Sequence, residues 1–258
     1  MKFALHVRAG RPSAQEFAGK LENEILASGG SVVSGPDEHP DAVLAVGGDG
    51  TMLGAVRLAL GWDVPVLGFN LGTLGFLTEA EPSEMKVVVG RLITGDFEVD
   101  QRLTVAASID GAAVIGVNDV VVEKIDSTRL VSLEVVIDGT RFATYRADGL
   151  IVATPTGSTA YSFSAGGPVI DPGVSALVLT PVAAHSLFDR PIVLSSGSMV
   201  SVTVQGDRPV RVNVDKTAVG LIGDGESVSI MTGDRPARFI TFGTRHFPGL
   251  VREKFGLE

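Results

Sequence analysis

The apolar positions change their period partway along the chain. Up to about residue 95, short runs of apolar residues alternate with stretches in which apolar groups recur every three or four positions, the pattern of strands followed by amphipathic helices. Lys2 to Val7 reads as a first strand. Ser13 with Glu16 three residues on matches a capping box, and Ala14, Phe17, Leu21 and Ile25 then fall on one helical face that Gly29-Gly30 closes. A short strand at Ser31 to Ser34 follows, and then the five apolar residues Ala42 to Val46, a strand buried on both faces. From Thr51 the period lengthens again, with Leu53, Val56 and Leu60 on one face and Gly61 as a stop. Val64 to Phe69 is the next strand, and Pro82 to Leu92 a helix ending near Gly95. Strands alternating with helices in this way imply a parallel sheet.

From about Phe97 the period becomes two. Leu103 to Ile109, Val114 to Glu123, Leu130 to Ile137 and Arg141 to Arg146 alternate as half-buried strands, and Asp110-Gly111 and Asp138-Gly139 between them are hairpin turns. Further strands are expected at Leu150 to Ala153, Met199 to Val204, Val210 to Val214, Ser227 to Met231 and Phe239 to Thr241. The pattern therefore predicts an α/β N-terminal domain with a parallel sheet over residues 1–95 and a β-rich C-terminal domain over 96–241. Residues 242–258, with a helix from Phe247 to Phe255, are expected to dock back on the first domain.

Composition narrows the chemistry. With 258 residues, 45% of them hydrophobic, the chain can bury a substantial core. A net charge of −9 argues against a general nucleic-acid binder, while a local basic cleft could still hold a small anionic ligand such as a nucleotide. No cysteine is present, which removes disulfides, thiolate metal sites and a cysteine nucleophile, and the four histidines form no H-x-x-x-H pair. No apolar run reaches the length of a membrane span. The expectation is a soluble, cytoplasmic protein.

Candidate chemistry gathers in three places. Gly47-Gly48-Asp49-Gly50-Thr51 breaks the buried strand and starts a helix, so a carboxylate stands at a strand's carboxyl end, where α/β sheets bind ligands and where a glycine turn lets N–H groups approach phosphate. The plainer account is a tight turn of positive φ with Asp49 as a helix cap. No Walker lysine follows, and the third glycine of a dinucleotide fingerprint is replaced by Leu53. The stretch Asn70 to Thr78 combines glycine with leucine and phenylalanine and is expected either to fold over a ligand beside Asp49 or to pack simply on the core. From Asp148 to Pro168 a strand runs into a cluster of hydroxyl-bearing residues suited to a ribose or base edge, or to turns. His185 and His246 read as structural hydrogen bonders.

Taken together, Gly47 to Thr51, Asn70 to Leu77, Asn118-Asp119 and Asp148 to Pro168 resemble the NAD kinase family in kind and order. The first motif is shared with diacylglycerol, sphingosine and phosphofructokinase relatives; the Thr154 to Tyr161 run is the family's own. The resemblance implies phosphorylation of the 2′-hydroxyl of the adenosine ribose of NAD, from ATP or inorganic polyphosphate, with a divalent metal, Mg2+ in the usual case, in a homodimer or homotetramer. It implies that Asp49 is the general base with Gly50 beside it, Phe76 at the nucleotide, and Asn118 and Asp119 on the adenosine and ribose hydroxyls. Asp148 falls at the nicotinamide end, Thr159, Ala160, Tyr161, Ser162, Phe163 and Ser164 around adenine and ribose, and Arg129 and Arg146 near the dinucleotide. Ala183 lines the pocket with backbone, and Thr217 stands at the third position of the family's aspartate-glycine-glutamine.

Several positions depart from the family pattern. Asp119 replaces a glutamate and reaches about 1.5 Å less, one carbon–carbon bond. Gly54 stands where many members carry a basic residue, so phosphate contact from that site is either lost or passed to Arg57, and Ala184 replaces a proline. A lipid or sugar kinase sharing the glycine-aspartate turn, or a non-catalytic NAD(P)-binding sensor, are the alternatives; the Asp148 to Pro168 segment counts against the first and the intact Asp49 against the second.

Overall fold

A computed structural model describes residues 1–33, 38–72, 75–126, 128–243 and 246–257. The chain divides into two compact units, Met1–Gln101 with Ala237–Glu258, and Arg102–Pro236. In the first, β1 (Lys2–Val7) leads to α1 (Pro12–Ala27), which buries Ala14, Phe17, Ala18, Leu21 and Ile25. The capping box at Ser13 and Glu16 does not form. Pro12 takes the first helical position, where its missing N–H costs nothing, so Ser13 lies inside the helix and Glu16 pairs with Lys20 at 2.6 Å. β2 (Ser31–Val32) is shorter than the strand expected there, whose last residue, Ser34, lies outside the described residues.

β3 (Ala42–Gly47) is buried along its whole length. α2 (Asp49–Trp62) starts two residues before Thr51 and runs through Gly61 to stop at Asp63, whose φ is 55°. β4 (Val66–Asn70) follows, then a 3₁₀ turn at Pro82–Glu84 leads into α3 (Met85–Thr94), closed by Gly95 at φ 74°, and β5 (Glu98–Arg102). Strand β1 pairs in parallel with β2 and β3, and β3 with β4. Ala42, Leu44 and Val46 join Phe17, Leu21, Ile25, Val88 and Leu92 in one core, which places α1 and α3 on one side of the sheet. Alternation turns Val43 and Ala45 to the other side.

The second unit is a sandwich of two antiparallel sheets. Its strands are β6 (Val105–Ile109), β7 (Ala112–Gly116), β8 (Asp119–Lys124), β9 (Val131–Ile137), β10 (Thr140–Ala147) and β11 (Gly149–Ala153). A 3₁₀ turn at Thr156–Thr159 and the single-turn α4 (Tyr161–Ser164) precede β12 (Ala176–Val182), β13 (Ile192–Ser195), β14 (Val200–Val204), β15 (Val210–Val214), β16 (Thr217–Ile222) and β17 (Ser227–Thr232). The sheets run β10-β9-β14-β17-β6-β7 and β13-β12-β11-β8-β15-β16. Leu133, Val135, Val202 and Ile230 of the first meet Val120, Val122, Leu150, Val152, Leu179 and Val212 of the second. Each such side chain contributes about 1.5 to 3 kcal/mol when fully buried, and the alternation that produces them is why the period-two reading works here.

The expected strand from Val114 to Glu123 is two strands, since Gly116 still pairs with Val105 in one sheet while Asp119 already pairs with Ala153 in the other. Asn118 lies at that crossing. β12, with six of its seven residues buried, carries no alternation and was not expected from the pattern.

The chain then returns to the first unit. β18 (Ala237–Thr241), read from sequence as part of the β-rich domain, pairs in parallel with β4 through Phe239 and Val66, and the sheet order is β2-β1-β3-β4-β18-β5. The cause is burial: Ile240 joins the core of Phe3, Leu44 and Leu67. β5 forms the edge of this sheet beside β18. α5 (Phe247–Phe255) buries no residue fully but sets Phe247 and Phe255 against Phe76, with ring centroids 6.4 and 6.2 Å away. Among the described residues no helix is long and apolar enough to cross a membrane.

Candidate active site

In the first unit the chemistry centres on Asp49, the first residue of α2, directly beyond β3. Gly48 is the N-cap, and no glycine of the turn has positive φ, so neither the strained-turn nor the capping account of the motif holds. The carboxylate instead accepts backbone N–H bonds from the segment after β4: Oδ2 from Phe76 at 3.0 Å and Oδ1 from Leu77 at 3.1 Å. A methyl group on Gly75 would collide with this carboxylate, which explains a glycine there without appeal to its φ. The stretch expected to fold beside Asp49 does so over its described residues; Thr73 and Leu74 lie outside them. Gly50 is exposed in the first turn of α2, and Phe76 is half-buried.

In the second unit the candidate residues share one face of the β8–β11–β12 sheet. Val120 and Val122 point into the sandwich, so Asp119, Val121 and Glu123 point out of it. Val121, Ile151 and Ala153 form a small apolar cluster there with Ala165 and Val182, and the segment carrying α4 lies over them. Ser162 anchors that segment: its hydroxyl is buried and bonded to Thr180 of β12 at 2.9 Å, so it is used in holding the fold. Tyr161, Phe163 and Ser164 are exposed, and Thr159 and Ala160 are partly so. Burial pushes the Tyr161 phenol up, and Glu123, Asp148 and Asp119 push it the same way, which places Tyr161 among all three carboxylates.

At one end of this face stand Asn118 and Asp119, both buried. Thr154 ties them to β11: its N–H donates to the Asn118 carbonyl at 2.9 Å and its hydroxyl to the Val117 carbonyl at 2.6 Å. A methyl group on Gly157 would run into the Asn118 carbonyl. From the other side, Asp215 accepts the N–H groups of Val117 and Asn118 at 2.8 Å each and that of Asp119 at 3.3 Å. Burial, and then the Asp215 charge, push the Asp119 carboxyl up to about 7, with Lys216 pulling the other way.

At the opposite end Asp148 forms an ion pair with Lys124, and the backbone of Arg146 holds the segment after Ala183, accepting the His185 N–H at 2.7 Å. Ala183 itself has φ 47°. Thr217 opens β16 next to the Asp215 turn. Arg129 lies in an exposed segment beside Asp126. Sequence reasoning missed Lys124, Glu123 and the clamp of Asp215. Alternation from Asp119 points to Glu123, but no local pattern signals a bond between positions 97 residues apart.

Comparison with known proteins decides the family. A model of the ATP-NAD kinase N-terminal domain matches residues 18–97 and one of the ATP-NAD kinase C-terminal domain residues 117–242. The NAD kinase of Geotalea daltonii is 39% identical over 226 residues, covering 84% of this chain and 78% of that protein. The chain belongs to the NAD kinase family. The NAD kinase of Heliobacterium modesticaldum is 41% identical over 220 residues, covering 83% of this chain and 78% of its own. Among solved structures, an NAD kinase from Archaeoglobus fulgidus in complex with ATP superposes with a TM-score of 0.80 at 25% identity, covering 98% of this chain and 99% of that one. Yeast NADH kinase complexed with NADH shares the fold, with a TM-score of 0.88 at 23% identity over 100% of this chain and 88% of that one.

Membership in the NAD kinase family makes the chain a phosphotransferase with an alcohol group as acceptor, and the lipid- or sugar-kinase and sensor alternatives are not favoured. One departure from the family pattern has a structural answer. Beside Gly54 lies the imidazole of His6 from β1, in the space a side chain there would need, and burial lowers the pKa of His6 so that it is neutral at physiological pH.

Proposed function

We propose that the protein transfers the γ-phosphoryl group of ATP to the 2′-hydroxyl of the adenosine ribose of NAD, giving NADP and ADP, with Asp49 as the general base. The carboxylate takes the hydroxyl proton, the oxygen attacks the γ-phosphorus, and the bond to the β–γ bridging oxygen breaks. One observation carries the assignment: a carboxylate at a strand's end whose two oxygens are oriented by backbone N–H groups of Phe76 and Leu77. Such fixing supplies the near-attack geometry on which phosphoryl transfer depends.

The second unit supplies the dinucleotide contacts in this reading. Asn118 and Asp119 hold adenosine and its ribose, the Thr159 to Ser164 segment lies along them, and Asp148, Arg146 and Ala183 serve the nicotinamide end; Arg129 and Thr217 are outer contacts. Support comes from their register. Asp119 and Lys124 bound β8, and at roughly 3.3 Å per residue they stand about 16 Å apart, enough to separate the two nucleosides of a dinucleotide.

Among the described residues no three His, Asp or Glu side chains form a metal cage. Magnesium in phosphoryl transfer is held largely by the phosphates with one or two carboxylates, and Asp49 fits that limited part, since each oxygen accepts one N–H and keeps a second lone-pair site. When bound, the ion neutralises charge on the phosphates. The same proposal includes residence in the cytoplasm and a closed homo-oligomer, dimer or tetramer, supported by the exposed pair Phe142 and Phe188, whose rings meet edge to face 5.9 Å apart. The deciding assay is NADP formation from NAD, ATP and magnesium, repeated with polyphosphate and, reading NADPH, with NADH; the absence of both NADP and NADPH from every combination would overturn the assignment. Light scattering at micromolar concentration that gave 26.8 kDa would reject the oligomer.

A further inference from the structure

The second unit makes the same two-residue hairpin turn three times. Asp110-Gly111, Asp138-Gly139 and Asp215-Lys216 each join strands paired directly across the turn, and all six residues have positive φ. Glycine is the residue that accepts the second position without strain, and the chain uses it twice. At the third turn it places a lysine at φ 66°, after an aspartate at φ 47°. A strained residue retained where the same chain shows the unstrained solution points to a function.

What lies against this turn is the backbone of Asn118 and Asp119. The strand crossing between the two sheets leaves the N–H groups of residues 117–119 buried, and the Asp215 carboxylate satisfies all three. Its own N–H returns a bond to the Asp119 carbonyl at 3.1 Å. We propose that the Asp215-Lys216 turn positions the dinucleotide-binding pair: Asp215 fixes the backbone from which Asn118 and Asp119 project, and Lys216 supplies the cation that offsets the charge of Asp215 at Asp119. The inference rests on the reading of Asn118 and Asp119 as dinucleotide contacts. The groups facing Asp119 are Asp215 and Lys216 on the hairpin and Tyr161 in the covering segment. Burial and Asp215 oppose its ionisation, so without Lys216 the carboxylate form that accepts a ribose hydroxyl becomes scarcer near neutral pH.

Lys216→Gly separates this role from a structural one, because the two give opposite signs. Relief of the left-handed lysine leaves thermal stability unchanged or higher, while kcat/KM for NAD at pH 7 falls several-fold and the midpoint of its pH profile rises by about half a unit. Lys216→Arg, which keeps the charge, restores the profile. Asp215→Asn replaces one acceptor by a donor and lowers kcat/KM for NAD tenfold or more with KM for ATP unchanged. Assays use the full chain with NAD, ATP and magnesium, beside thermal melts. The proposal is overturned if Lys216→Gly has the wild-type pH profile, or if Asp215→Asn lowers melting temperature and all kinetic constants together. Unchanged NAD kinetics in Asp119→Ala would instead overturn the assignment of the binding pair itself, a separate outcome.

Discussion

Asp49 and Asp119 are the same side chain in opposite settings. Asp49 stands half-buried at the junction of β3 and α2, receives two backbone N–H bonds, and occupies the first turn of a helix, the end that favours an anion. Asp119, 4% exposed, shares its surroundings with a second carboxylate and titrates near neutrality. In the proposed function, these two environments give one carboxylate the chemistry and the other a contact that responds to pH. A change of pH around neutrality should therefore act on dinucleotide binding through Asp119.

The most severe way to break this contrast is Asp49→Asn. Turnover should drop by about 10² to 10⁴, the range for a lost general base, with KM for NAD within a few-fold of wild type; near-normal turnover in steady-state assays would end the role of Asp49. Asp119→Ala comes next and should cost roughly 1.5 to 3 kcal/mol in kcat/KM for NAD, since a ribose hydroxyl loses a charged acceptor. If kcat alone fell, the division of labour between the two aspartates would be wrong.

Stability sharpens the contrast through its pH dependence. Because the Asp119 carboxyl is raised from 3.8 to about 7 by folding, the native state holds a proton that the unfolded chain releases. Its contribution is present in full below about pH 4, declines as pH rises, and is gone above about pH 7. Asp119→Asn should remove this slope, so that the variant gains on wild type by roughly 1 to 3 kcal/mol between pH 5 and pH 8 in denaturant titrations. An identical slope in both proteins would contradict the raised value. Tyr145 supplies the smallest effect and a control, for its buried hydroxyl has no partner among the described residues and no part in the site. Tyr145→Phe should keep full activity and raise unfolding free energy by about 1 kcal/mol, measurable by chemical denaturation.

The two regions also differed in how far the sequence revealed them. Where alternation over one face of a strand was regular, as with Val131 to Ile137, it located the strand, and the Asp-Gly turns set the hairpin register, while β13 and β16, which give the sandwich core only Leu194, Val219 and Ile222, were not located. Strand β12 escaped notice because both its faces are buried and no period remains, and β18 was misplaced because its partner β4 is remote in sequence. The Gly47 to Thr51 motif announced a carboxylate at a strand end, but its orientation by Phe76 and Leu77 depends on two segments meeting after folding. The bond between the buried Ser162 hydroxyl and Thr180 was equally out of reach of the sequence, since it joins the hydroxyl-rich segment to β12 only after folding.

The return of β18 to the first sheet bears on the order of synthesis. Phe239 must pair with Val66, so the sheet that carries Asp49 gains its β18 strand only after the intervening sandwich, residues 102–236, has left the ribosome. The sandwich, by contrast, is continuous in sequence and can form as soon as its own residues are available. Pairing over so long a separation carries a large loop-closure entropy unless the intervening chain is already compact. A folded sandwich shortens that loop, and the face proposed to bind NAD is thereby assembled before the α/β sheet beneath Asp49 is complete.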